Sequence, residues 1–198
     1  MAGQEGTTSG LAPGFLVSSP ALNDPNFRSS LVLMAEHSAE GAFGLVINRP
    51  TPLSVRELLT TVSEELAAAA ASAGRDGGQV LFGGPVDPER LWILHRPGTG
   101  PDGDSGEVLA PGIALGGSRA LLEKLARTAD AGPYHLLLGY AGWGPLQLEN
   151  EVTQGSWIPL ALDGDLALDL PIEERWEEAV RRLGLEPAGM VSGGGAKA

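Results

Sequence analysis

Two short stretches constrain this chain more than any others. Leu31–Ala35 and Phe43–Ile47 are apolar at nearly every position, without the alternation of a half-exposed strand. That pattern predicts two strands covered on both faces. Between them His37–Ala42 contains Gly41, so the pair reads as an antiparallel hairpin. A hairpin buried on both sides needs packed layers above and below it. At 198 residues the chain is long enough to supply them, since folding at this size buries roughly 70% of the unfolded surface.

The remaining pattern names the layers. Ser54, with Glu57 three residues on, makes a capping box, and Val55, Leu58, Leu59, Val62 and Leu66 fall on one face of a helix running towards Gly74. A second helix is predicted from about Ser118 to Thr128, with Leu121, Leu122, Leu125, Ala126 and Ala129 as its stripe. A third begins at Pro171 and buries Ile172, Trp176, Ala179, Val180 and Leu183; Arg181 and Arg182 near its end and Gly184 beyond it suit the helix dipole and a glycine cap. Further strands are expected at Phe15–Ser18, Gln79–Phe82, Leu91–His95, Gly112–Leu115, Leu136–Tyr140, Trp157–Leu162 and Asp165–Asp169, the last two joined as a hairpin through Asp163-Gly164. Hairpins mixed with strand–helix–strand passages predict an α+β (mixed α/β) fold: one compact domain over residues 11–186, with three main helices on a mixed, largely antiparallel sheet. Met1–Gly10 and Pro187–Ala198 read as flexible ends.

Composition then removes whole classes of function. There are no cysteines, which excludes disulfides, a thiol nucleophile and Cys-ligated zinc. The three histidines, His37, His95 and His135, lack the i, i+4 spacing of a metal-binding helix, so neither metal nor cofactor is expected. A net charge of −12, with the basic residues scattered, argues against nucleic acid as a partner. No apolar run approaches the roughly 18 residues of a membrane span, and Met1–Gly10 has no Lys or Arg to front a signal peptide. A cytoplasmic protein that does not engage membranes is expected.

Catalytic motifs are missing as well. No Gly-x-Ser-x-Gly, Ser-x-x-Lys or Gly-Lys-Ser/Thr occurs. Gly98-Thr99-Gly100-Pro101-Asp102-Gly103 matches a dinucleotide loop in letters only. Asp102, Asp104 and Glu107 would repel a pyrophosphate, and Gly106 and Pro111 stop a helix from following. It reads as an acidic surface loop. Gly116-Gly117-Ser118 reads as a strand end with a capping serine, with exposed backbone N–H groups for an anion as the alternative.

Polar and aromatic residues gather instead in four segments. Ser19–Ser29 is a turn-rich loop carrying Asp24 and Arg28, and Glu36 and His37 end the first buried strand. Asn48 and Arg49 end its partner. In Gly139–Glu149, Tyr140 and Trp143 stand among glycines, followed by Gln147 and Glu149. Aromatic side chains make only 5% of this chain, so two on one glycine-rich turn mark either the wall of a ligand pocket or a plug in the core. Gly83-Gly84-Pro85 marks either a close backbone approach to something bound or a sharp reversal of the chain. The candidate ligand-binding set is Arg28, Glu36, His37, Asn48, Arg49, Gly83, Gly84, Tyr140, Trp143, Gln147 and Glu149.

These same segments carry a family likeness. Gly14-Phe15-Leu16-Val17-Ser18-Ser19-Pro20, Asp24-Pro25-Asn26-Phe27-Arg28-Ser29-Ser30, Glu36-His37 and Gly44-Leu45-Val46-Ile47-Asn48-Arg49-Pro50 resemble the opening of the AlgH/YqgE family. Gly83-Gly84-Pro85-Val86, Gly116-Gly117-Ser118, Gly139-Tyr140-Ala141-Gly142-Trp143-Gly144, Gln147-Leu148-Glu149, Trp157 and Arg175-Trp176 follow in register, so the likeness covers about Gly10 to Leu185. The family usually reads Gly before Gln-Leu-Glu, where this chain has Leu146. The resemblance implies a compact bacterial protein; some members are labelled transcriptional regulators, and it supplies no catalytic residues.

The leading functional expectation is a non-catalytic regulatory or binding protein acting through a small molecule or a protein partner. Two alternatives stand beside it. One is a hydrolase-like enzyme, with Glu36 or His37 as general base and Arg28 or Arg49 holding an anionic substrate, which requires those side chains to converge. The other is a transcriptional regulator, which requires a basic surface stripe.

Overall fold

A computed structural model describes residues 10–97 and 106–187. The flexible ends expected at Met1–Gly10 and Pro187–Ala198 (apart from Gly10 and Pro187 themselves) and the acidic loop Gly98–Gly103 lie outside the described residues.

The buried hairpin is the centre of the molecule. Strands β2 (Leu31–Ser38) and β3 (Gly41–Val46) pair antiparallel, Val32 opposite Val46 and Leu33 opposite Leu45. Alternation sends Leu31, Leu33, Leu45 and Ile47 into one core, with Phe15 and Val17 of β1 (Gly14–Ser18). Val32, Met34 and Val46 enter a second core on the opposite face, with Leu16, Trp143, Leu148 and Trp157. The near-continuous apolar runs thus have the two-sided cover they require.

The sheet runs from β10 (Trp157–Leu160) through β1, β2 and β3 to β9 (Tyr134–Trp143), then β6 (Val86–His95), β8 (Ile113–Gly116) and β7 (Glu107–Ala110). Strands β4 (Pro50–Ser54) and β5 (Gln79–Phe82) branch from it, and β5 lies parallel to β9. The fork is at β9. One edge of β9 pairs with β6, while the other is shared, β3 taking Ala141–Trp143 and β5 taking Leu137–Leu138.

Gly83 and Gly84 sit in this fork. Gly83 donates its N–H to the Leu138 carbonyl at 2.7 Å and accepts from the Val46 N–H at 2.8 Å. A Cβ on Gly83 would lie 2.3 Å from the Gly139 oxygen, and one on Gly84, whose φ is +153°, would lie 2.1 Å from the Tyr140 carbonyl carbon. The approach that these glycines permit is to the protein's own backbone.

Helices α1 (Val55–Val62), α2 (Glu64–Ser72) and α3 (Arg119–Arg127) cover Val80, Ile93 and Leu136, making a third core. The capping box forms as its spacing predicts: Glu57 N–H donates to Ser54 Oγ, and Glu57 Oε2 accepts the Ser54 N–H at 2.8 Å. The single helix expected over this stretch is two. Ser63 adopts φ −172°, and its hydroxyl accepts from Leu66 N–H, so a second N-cap interrupts the stripe. Ser118 caps α3 by accepting from Leu121 N–H at 3.1 Å.

Two further expectations need correction. Asp165–Asp169 is not a strand. Asp163 Oδ1 accepts from the N–H groups of both Asp165 and Leu166, and that cap turns the segment into helix α5 (Gly164–Leu168). The third helix starts with a 3-10 turn at Ile172–Glu174 and continues as α6 (Arg175–Arg182).

The segment after Trp143 holds an unanticipated helix, α4 (Gln147–Thr153). The residue before it, Leu146, takes the left-handed conformation at φ +60° and is exposed. A non-glycine residue there costs about 1–2 kcal/mol, part of which glycine returns as chain entropy. Leu146→Gly is therefore expected to stabilise the protein by about 1 kcal/mol, read as a raised urea midpoint with unchanged slope.

Candidate functional site

The sequence-predicted residues fall into separate neighbourhoods. At the start of β2, Asn48 and Arg49 pin the preceding loop. Asn48 Oδ1 accepts from Leu31 N–H and its Nδ2 donates to the Ser29 carbonyl, both at 2.8 Å. The Arg49 guanidinium donates to the carbonyls of Pro25, Asn26 and Arg28 and to Ser30 Oγ. Burial, and secondarily the nearby Arg28, lower the Arg49 pKa. Its donors are committed to closing this loop, and Arg28 stands exposed beside it.

Six residues further on, roughly 20 Å along an extended strand, Glu36 and His37 end β2. A bulge between Met34 and Glu36 changes which way they face. Ala35 and Glu36 both line one cavity, while His37 turns to the side that carries α4. His37 Nδ1 accepts from Leu11 N–H at 3.0 Å, which places the ring proton on Nε2 for donation to Glu149 Oε1 at 3.1 Å. The Glu149 carboxyl is held below the usual range, chiefly by its own backbone N–H and then by His37. Arg28, Glu36, His37 and Arg49 do not converge.

Trp143 lies in a second neighbourhood and is buried. Its Nε1 and that of Trp157 both donate to Glu151 Oε2, at 2.9 and 2.8 Å, and Gln147 Nε2 donates to the other oxygen. Phe27 stacks on Trp143. Beside them is a cavity of about 310 Å³, bordered also by Leu22, Asp24 and Ser156. Glu151 organises this cluster through i, i+4 spacing from Gln147, but its indole partners come from two strands, so the sequence carried no sign of its part.

A cavity of about 430 Å³ opens where β2, β3, β6, β7, β8 and β9 meet. Its apolar wall is Ala35, Phe43, Trp92, Leu115 and Tyr140. The three rings pack on one another, with centroids 4.9 Å apart for Phe43–Trp92 and 5.1 Å for Phe43–Tyr140. Arg90 lays its guanidinium over the Trp92 ring at 4.3 Å. Glu36 and Glu107 complete the lining. Only Glu36 and Tyr140 of this set were legible beforehand. Arg90 and Trp92, two apart on one face of β6, are the signal that could have been read, whereas Phe43 reads as ordinary core.

A buried polar pair lies under the same sheet. Arg175 is fully buried; it donates from Nε to the Leu170 carbonyl, from Nη1 to the Ile47 carbonyl at 2.8 Å, and from Nη2 to His135 Nε2 at 2.7 Å. Burial lowers the Arg175 pKa to about 10, which leaves it charged. Burial, and then the Arg175 charge, lower the His135 pKa from 6.5 to about 4, so the ring is neutral and accepts. Because the unfolded chain binds this proton near pH 6.5 and the native state does not, stability falls as pH drops below 6.5, until the native ring titrates. Between pH 7 and pH 5 the expected loss from this group is about 2 kcal/mol. Denaturant midpoints at the two pH values measure it, and His135→Gln is expected to remove that share of the slope.

No helix among the described residues is long and apolar enough to cross a membrane, and no group of three or more metal-ligating side chains occurs among them. Comparison with known proteins agrees with the architecture. The model of the AlgH-like family DUF179 matches residues 15–188. A UPF0301 protein of Anaeromyxobacter dehalogenans is 62% identical over 190 residues, covering 96% of each chain. One of Myxococcus xanthus is 40% identical over 185 residues, 93% of this chain and 97% of its own. The solution structure of the AlgH protein from Pseudomonas aeruginosa matches with a TM-score of 0.70 at 30% identity, over 94% of each chain. A crystal structure from Corynebacterium diphtheriae, 23% identical with a TM-score of 0.68 over 86% of each chain, shares the fold. Matched along nearly its whole length by the family model and by relatives of high identity, the chain belongs to the AlgH-like family.

Proposed function

We propose that this protein is a non-catalytic binding protein of the cytoplasm, regulatory through what it holds, and that its ligand is a small molecule seated in the cavity walled by Phe43, Trp92 and Tyr140. The observation that carries this reading is the cavity itself. Its volume of about 430 Å³ falls in the range of small-molecule sites, and an aromatic wall with a few charged groups at its edge is their usual composition. The separation of Arg28 and Arg49 from Glu36 and His37 supports binding over the hydrolase-like alternative, because a general base and an anion clamp must share one substrate. Charge favours a small molecule over nucleic acid, since a chain at −12 has little with which to neutralise phosphates.

The test is a thermal-shift and amide-shift screen of the full chain against common metabolites. A ligand that binds only the native state adds about 2.7 kcal/mol of stability at a hundredfold excess over its dissociation constant. Hits are expected to move the amides of Glu36, Phe43, Trp92 and Tyr140 and to be lost in Tyr140→Ala. Turnover of a hit would overturn the non-catalytic reading, and shifts confined to other parts of the molecule would overturn the site.

A further inference from the structure

Resting on that binding reading, we propose that the cavity takes a small organic cation with an apolar ring, an arylalkylamine in class, its ammonium met by Glu36 and Glu107. The cavity borders carry two carboxylates and one guanidinium, a net charge of −1. Neither Glu36 nor Glu107 makes an ion pair with any described residue, although Arg56, Arg119, Arg127, Arg181 and Arg182 each pair with a carboxylate elsewhere. Arg90 is the cation that could have paired with them, and it is stacked on the Trp92 ring at 4.3 Å instead. Two unpaired carboxylates beside an aromatic wall therefore present an anionic edge to an apolar floor.

The two charge classes do not fare equally there. An anionic ligand would meet the two carboxylates at the cavity's edge and gain one guanidinium whose face is already covered. A protonated amine gains both carboxylates, which stand exposed at the cavity's edge, so charge sets the preference between ligands while the aromatic floor supplies the sheltered contact. Its ring has Phe43 and Tyr140 to pack against, where edge and offset contacts between rings are favourable. A divalent metal ion is a poorer fit, because two carboxylates with an adjacent guanidinium fall short of the six to eight oxygen ligands that calcium takes. The bulge at Ala35 is what brings Glu36 to this face at all, since an unbroken alternation would have placed His37 here.

The experiment titrates the full-length protein with three probes of matched size, 2-phenylethylamine, 2-phenylethanol and 3-phenylpropanoate, followed by amide chemical shifts. The amine is expected to move the amides around Glu36, Phe43 and Tyr140 and to bind at least tenfold more tightly than the carboxylate. Glu36→Gln and Glu107→Gln are each expected to weaken the amine about fivefold while leaving the thermal midpoint unchanged. Arg90→Gln is expected to tighten it. Equal or tighter binding of 3-phenylpropanoate, or Gln variants with unchanged affinity, would overturn the cationic assignment while leaving the binding reading intact. If none of the three probes moves the cavity amides but a metabolite from the wider screen does, the assignment also falls and the site survives. If neither the probes nor that screen touch the cavity, both fall together.

Discussion

Arg175→Met is expected to lower the stability of this protein by about 3–5 kcal/mol, the range seen when one partner of a buried charged network is removed. Methionine fills similar space without a donor. It leaves the Ile47 and Leu170 carbonyls and His135 Nε2 without the N–H groups that now reach them. A stranded acceptor costs about 1–3 kcal/mol, and relief of the buried charge returns part of the total. The Ile47 contact also ties α6 to the end of β3 across 128 positions of sequence, so its loss loosens the covering layer of the main core. Arg175→Lys is expected to recover little, because an ammonium cannot reproduce the fork that serves three acceptors. Guanidinium denaturation measures the loss. A second readout separates this from a packing defect: without the Arg175 charge the His135 pKa rises, and the acid-side loss of stability shrinks. A variant within 1 kcal/mol of the parent would refute the account.

Gly84→Ala is expected to cost at least about 3 kcal/mol, beyond the usual range for an added methyl group. Ordinary overpacking is relieved when a neighbouring side chain moves. Here the new Cβ would lie 2.1 to 2.4 Å from the Tyr140 carbonyl and the Ala141 nitrogen, all backbone atoms of the strand at the fork. The φ of +153° adds strain that no L-residue escapes. Yielding would move β9, which is held by β3, β5 and β6 together. The same substitution at Gly74, whose added Cβ meets nothing within 4 Å, is expected to cost only the strain of its own φ of +68°. Comparing the two by urea denaturation isolates the crossing. Equal losses would show that the fork has room.

Much of the fold was legible because its signals are local. The capping box at Ser54 and Glu57, the cap at Ser118 and the two-faced apolar hairpin each depend on residues a few positions apart. Where the structure departs from the pattern, a local competition is decided the other way. Ser63 divides a helix by capping a second one, and Asp163 makes a helix where Asp-Gly suggested a hairpin. In both cases a side-chain oxygen accepting backbone N–H groups outweighed the apolar pattern.

The candidate site was far less legible. Trp143 could be singled out from sequence, but the reason it is buried could not. Glu151 holds both its indole and that of Trp157, and the three residues meet only after β9, α4 and β10 have packed. Arg49 offered the chemistry of an anion clamp, and the fold commits it, with Asn48 beside it, to the carbonyls and N–H groups of a neighbouring loop.

By itself the sequence determined a sheet-centred α+β chain with a hairpin buried on both faces, because hydrophobic periodicity and capping are properties of short segments. Tertiary structure alone decided that Glu36 faces a cavity while His37 turns away, since one bulge reverses the alternation. It alone placed Arg90, Trp92, Phe43 and Glu107 around one space, and Arg175 under the end of β3. Those placements depend on which strand lies beside which, a choice made by packing the whole chain and written in no single stretch of it.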